Sequence, residues 1–189
     1  MDRLVSCAQL CSVLPSSILL DPNHLEPSFH AKQDQSSTRI TSRFIPSYHR
    51  FLQHQPSSVE GGSDEGLDAA RTEFLNLLKE FTKEMDKSGP YFFGTEPQMI
   101  DFMLAPWAVR LWVFDHFKGG LGIPAEGQGG EDEAVWVRWR KWQAAIEERD
   151  SVKRTLSERD KYLPIYQRYA DDKAQSEMAK ATRKGRGVP

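Results

Sequence analysis

Arg110 is the residue whose setting most asks for a chemical explanation. It stands in an apolar stretch from Met99 to Phe117, where a guanidinium must reach solvent, find a carboxylate or line a cleft. Trp107 lies three residues before it, and Tyr162 and Tyr166 share a later aromatic helix, so the four make a candidate ligand-facing cluster. A buried ion pair or a capping contact is the equal structural alternative. At the start of the apolar stretch either Thr95 and Gln98 form a capping box with Pro97 in the first turn, or Gln98 is the cap and Asp101 reaches back to the free N–H groups.

Other chemistries find less support. His24, His30, His49, His54 and His116 include no helically spaced pair with a carboxylate partner, so no metal site is expected. Each histidine reads as exposed or hydrogen-bonded. Cys7 and Cys11 enclose three residues, not the two of a redox dithiol, and no catalytic thiol is expected there. Trp136, Trp139 and Trp142 alternate with Arg138, Arg140 and Lys141, a pattern able to stack bases. Helical spacing nevertheless puts the tryptophans on one face that a core can bury. The formal charge is −2, from 25 basic and 27 acidic residues, which excludes a globally basic nucleic-acid binder. Lys180, Arg183, Lys184 and Arg186 are too few to change that reading. Asp101, Arg110, Asp115 and His116 interrupt the longest apolar stretch, so no membrane span is expected. Gln9 and Pro15 break the only stretch that resembles a secretory signal, and the two cysteines suit a reducing, cytoplasmic setting.

The elements that must position these residues are helices. The chain of 189 residues suits one domain. Residues 1–36 lack periodicity and read as an irregular, disordered leader. Ile40, Phe44, Ile45, Tyr48, Phe51 and Leu52 predict an amphipathic helix from about Ser37, kinked a turn before Pro46. Leu67, Ala70, Phe74, Leu77, Leu78, Phe81 and Met85 stripe a second helix, which Ser88-Gly89-Pro90 stops. From Met99 to Phe117 apolar residues run nearly all round, so a central helix buried by others is expected, bent at Pro106. Further helices are expected over Ala134–Ile146, over Asp150–Leu156, and around Tyr162, Ile165, Tyr166 and Tyr169 behind a cap at Ser157. Residues 173–189 read as a polar basic tail. Strand signals are absent, so the class is all-α, a helical bundle around the central helix, with its ordered part over 37–172.

Two runs carry a resemblance. Gly89-Pro-Tyr-Phe-Phe-Gly94 followed by Gln98-Met-Ile-Asp101-Phe-Met-Leu-Ala-Pro106-Trp107-Ala-Val-Arg110-Leu resembles the helical C-terminal domain of omega-class glutathione transferases. Asp101 matches the family's capping aspartate, whereas Gln98 stands where the family has Ser or Thr. Arg43-Phe-Ile-Pro-Ser-Tyr48 and Trp142-Gln-Ala-Ala-Ile146 through Tyr169 resemble flanking helices, and the likeness is collinear over residues 40–172. The spacing from Trp139 to Ala145 and the Gly-rich loop look closer to fungal omega-like members than to animal ones.

The resemblance implies glutathione as cosubstrate and glutathione-dependent thiol transfer or conjugation. It implies that this domain supplies a substrate pocket from Trp107, Arg110, Tyr48, Tyr162 and Tyr166. A small hydrophobic electrophile or thiol is the expected substrate, with the arginine steering an acid group, and neither nucleic acid nor membrane is an expected partner. The family's thioredoxin-like glutathione-binding domain has no counterpart in the pattern: no strand-helix-strand, no Cys-Pro and no Glu-Ser dipeptide. The chain therefore reads as truncated relative to the family and inactive alone. The alternative class is a non-enzymatic helical module that forms a homodimer or binds a partner.

Overall fold

The computed structural model describes residues 27–56 and 64–187, which form helices and their connections with no strand among them. The first helix, α1 (Pro27–Arg39), starts well before the expected position near Ser37. Its sequence shows little periodicity: over residues 31–39 Ser36 alone is buried, and Arg39 pairs with Glu80 and Glu84. Residues 1–26, the rest of the expected leader, lie outside the described residues.

Pro46 shapes the next two elements. Ile40–Phe44 is a π-helical turn whose i+5 bond runs from the Ile45 N–H to the Ile40 carbonyl, and α2 (Ile45–Gln53) continues from it. A proline without an N–H disturbs the ladder one turn earlier, as its position requires. The helix α3 (Glu65–Glu84) opens on Asp64, whose carboxylate accepts from the Leu67 N–H at 3.0 Å. Phe44, Phe51 and Phe74 gather with Phe114 into an aromatic core, with Phe51 stacked on Phe114 at 4.5 Å.

The central stretch is two helices, not one. Helix α4 (Met99–Ala108) is followed by a tightened turn and then α5 (Trp112–Phe117). The Arg110 Nε donates to the Pro106 carbonyl at 2.5 Å, while the Arg110 and Leu111 N–H groups reach back only three residues. The side chain thus occupies the carbonyl that a continued helix would give to the backbone. One face of α4 buries Ile100, Leu104 and Ala108, whereas Met99 is 40% exposed and Phe102, Met103 and Trp107 are half-buried. The expectation of burial all round is corrected accordingly.

Asp101 ties this helix to two other segments. Its Oδ2 accepts from the Gln98 N–H at 2.8 Å, and its Oδ1 accepts from the Phe92 N–H at 2.8 Å and from Trp142 Nε1 at 2.7 Å. The carboxyl is fully buried, and burial raises its pKa above the ordinary value against the pull of those three donors. The turn that delivers Phe92 needs Gly89, because a Cβ there would collide with the Gly94 carbonyl.

Helix α6 (Glu133–Glu147) buries Trp136, Trp139 and Trp142. Its interleaved cations are spent on the chain itself: Arg138 donates to the Asp86 and Tyr91 carbonyls, Arg140 to Pro124 and Glu133, and Lys141 to Ser88. The short α7 (Asp150–Lys153) ends before Leu156. Helix α8 (Arg159–Ala170) starts at Glu158 with no side-chain cap, and the Ser157 N–H donates instead to the Tyr162 hydroxyl. The polar tail holds another helix, α9 (Glu177–Arg183), capped by Ser176. Ala179 is fully buried, and its carbonyl accepts from the Gln53 side chain, so the tail closes onto α2.

Candidate functional site

The broken turn between α4 and α5 presents Arg110 beside α8. Its Nη1 lies 3.2 Å from the Tyr166 hydroxyl, and its guanidinium carbon is 5.6 Å from the centre of the Tyr162 ring. Tyr48, from α2, donates to the Arg110 carbonyl at 3.4 Å and meets the Trp107 ring edge-on at 5.1 Å. All five expected residues therefore come together around Arg110. They do not play one role. Tyr48 is fully buried and Tyr166 is 6% exposed, so both support the arginine from the core. Arg110, Trp107 and Tyr162 remain half-buried.

Electrostatics favours a fixed cation here. Burial pulls the Arg110 pKa down, but Tyr166, Tyr48 and Tyr162 oppose it and the net direction is upward. Burial, reinforced by Tyr166, drives the Tyr48 hydroxyl well above its ordinary range. Tyr48 is consequently a neutral hydrogen-bonding group and not a base or nucleophile.

Arg110 and Tyr162 line a cleft of about 240 Å³ together with Val109, Trp112, Leu156 and Arg159. No local pattern in the sequence marks Arg159 or Trp112 for this role, because they meet only when α8 folds back onto α5. There the Arg159 guanidinium carbon sits 5.1 Å from the Trp112 ring centre.

His49 also departs from expectation. It is 6% exposed, edge-on to Trp107 at 5.6 Å and against Tyr169 at 5.2 Å, and its Nδ1 has no hydrogen-bond partner among the described residues. It is neither exposed nor hydrogen-bonded at that nitrogen. Burial lowers its pKa from 6.5 to about 4, so it is neutral at physiological pH. A second and larger cleft, about 430 Å³, lies between α2, α3 and α9, but its charges are paired with one another, Arg50 with Glu73 and Arg183 with Asp172. Among the described residues no group of His, Cys, Asp or Glu is arranged to hold a metal, and no helix is long and apolar enough to cross a membrane.

This architecture has a class. Residues 64–145 match the family model described as glutathione S-transferase, C-terminal domain, and the all-helical fold is of that type. The chain is similar to the crystal structure of glutathione transferase Omega 3C from Trametes versicolor, with 27% identity over 80% of this chain and a TM-score of 0.59. It spans 57% of that protein's length. No curated protein matches the sequence.

Proposed function

We propose that this chain is the helical substrate-binding part of an omega-class, fungal-type glutathione transferase, acting in the cytoplasm. The observation that carries the reading is Arg110, fixed by Pro106 and Tyr166 and lining an open cleft with Tyr162 and Trp112, while Trp107 and Tyr48 pack against each other outside that lining. A cation held between aromatic walls binds an apolar molecule that carries an acid group. The named class of the Trametes versicolor structure supports the omega assignment.

Glutathione-dependent thiol transfer needs a protein thiolate of lowered pKa, and both transfer and conjugation need a shaped site for the tripeptide. Cys7 and Cys11, the two cysteines of the sequence, lie outside the described residues, and the described helices contain no thiol. The 189-residue chain is therefore proposed to be inactive with glutathione by itself. Thioltransferase and dehydroascorbate reductase assays on the purified chain test this, with a Cys7→Ser, Cys11→Ser double variant as control. Background rates in both support the reading. Turnover in the wild type that disappears in the double variant overturns it.

A second reading has one observation in its favour. Met99, 40% exposed beside half-buried Phe102 and Met103, leaves an apolar strip along α4 that suits a second copy of the chain. Sedimentation of the purified chain decides it: a concentration-dependent dimer weakened by Met99→Glu favours this module, and a monomer at all concentrations removes it.

A further inference from the structure

We infer that the cleft between α5 and the start of α8 binds a small aromatic acid, its ring against Trp112 and Tyr162 and its carboxylate shared by Arg110 and Arg159. This rests on the proposed role of Arg110 as a ligand group, and it goes further in naming the ligand's chemistry and two residues, Arg159 and Trp112, that recognise it.

The sign of the ligand comes from the charges that face the cleft. Arg110 and Arg159 bring two cations, and Glu147 is the one acid on the lining, already accepting from the Gln143 amide at 2.8 Å. Arg159 makes no hydrogen bond or ion pair among the described residues, and its guanidinium lies over the Trp112 ring at 5.1 Å. Arg110 has its Nε on Pro106 and its Nη1 on Tyr166, which leaves Nη2 without a partner among the described residues. Two guanidiniums with unused donors match the two oxygens of a carboxylate, which suits a fork better than a point cation would.

The aromatic part comes from the walls. Trp112, Tyr162, Val109 and Leu156 form the apolar lining, and Leu156 is 40% exposed despite its size. The volume of about 240 Å³ lies under the roughly 300 Å³ at which drug-sized pockets begin, so a single ring with its acid group fills it.

4-Nitrobenzoate is a suitable probe because nitroaromatic rings quench tryptophan emission. The experiment titrates the full chain with 4-nitrobenzoate, with neutral 4-nitrobenzamide and with inorganic phosphate, and repeats the series on Arg159→Gln. Saturable quenching by the benzoate, about tenfold weaker for the amide and about tenfold weaker in the variant, supports the inference, since a charge-assisted hydrogen bond is worth that factor. Equal phosphate should not displace the benzoate. Arg159 is exposed, so the variant keeps its fold, checked by circular dichroism. Trp112→Phe should remove the quenching while calorimetry still detects heat of binding. Equal affinity for the amide, displacement by phosphate, or an unchanged Arg159→Gln variant overturns the inference. Glutathione turnover in the thioltransferase assay would overturn the proposed inactivity of the chain by itself while leaving this titration untouched, so the two failures are distinct.

Discussion

Asp101 shows how much a single carboxylate can organise. Three donors from three segments converge on it: the backbone of Gln98, the backbone of Phe92 and the indole of Trp142. Asp101→Asn turns one acceptor oxygen into an amide that faces a donor, and should cost about 2 kcal/mol, read as a lower midpoint in urea. Asp101→Ala leaves all three donors without their acceptor and should cost about 3 kcal/mol or more by the same measurement. His49 makes the opposite kind of statement. Its ring is held neutral, with a folded pKa of about 4 against 6.5 in the unfolded chain. The unfolded chain therefore takes up the proton first as pH falls. The stability that depends on the neutral ring is complete above pH 6.5 and is lost on acidification toward pH 4, by about 3 kcal/mol at the limit. His49→Phe keeps a ring against Trp107 and Tyr169 and removes the titration. Urea midpoints between about pH 7 and pH 4 should fall less steeply in this variant than in the wild type, and parallel slopes would contradict the burial argument.

Elements matter here chiefly where they break. A continuous helix from Met99 to Phe117 would give the Pro106 carbonyl to the Arg110 N–H, and the guanidinium would lose the bond that fixes it beside the cleft. Instead the Arg110 side chain satisfies the Pro106 carbonyl and the backbone tightens through Val109–Leu111. Hydrogen exchange should show this directly. Amides of Leu104 and Ala105, on the buried face of α4, should be slow, and those of Arg110 and Leu111 should exchange faster than both flanking helices. Uniform protection across the stretch would mean that the break closes in solution. The π-helical turn before Pro46 does similar work for α2. It rotates Tyr48 inward, onto Trp107 and Phe114, where a regular helix would need another register.

At the scale of the molecule, α1 and α9, the first and last described helices, are each tied to the helices beside them. Arg39 and Arg43 fasten α1 and the π turn to Glu80 on α3, and α9 closes over α2 through Ala179 and Gln53. Lys118 joins two helix ends, donating to the carbonyls of His54 at 2.7 Å and Ala170 at 3.3 Å. Ala179→Glu puts a charge into a fully buried position and should destabilise the whole domain by about 2 kcal/mol, read from its unfolding midpoint. If residues 173–187 were a loose tail, the midpoint would not move and only their proteolysis would accelerate. The helical class, the stripe of α3, the buried face of the tryptophans and the capping role of Asp101 were all legible in the order of residues. They depend on neighbours three or four residues apart, where spacing and side-chain type are sufficient. Arg110 was legible as well, because a guanidinium in an apolar run is conspicuous without any fold. Four features were not: that α1 begins at Pro27, that His49 is buried, that Tyr48 and Tyr166 stand behind the arginine, and that Arg159 covers Trp112. Folding in three dimensions settles these through contacts between segments far apart along the chain. A helix that engages its neighbours by one narrow edge leaves no periodic trace from which such contacts can be read.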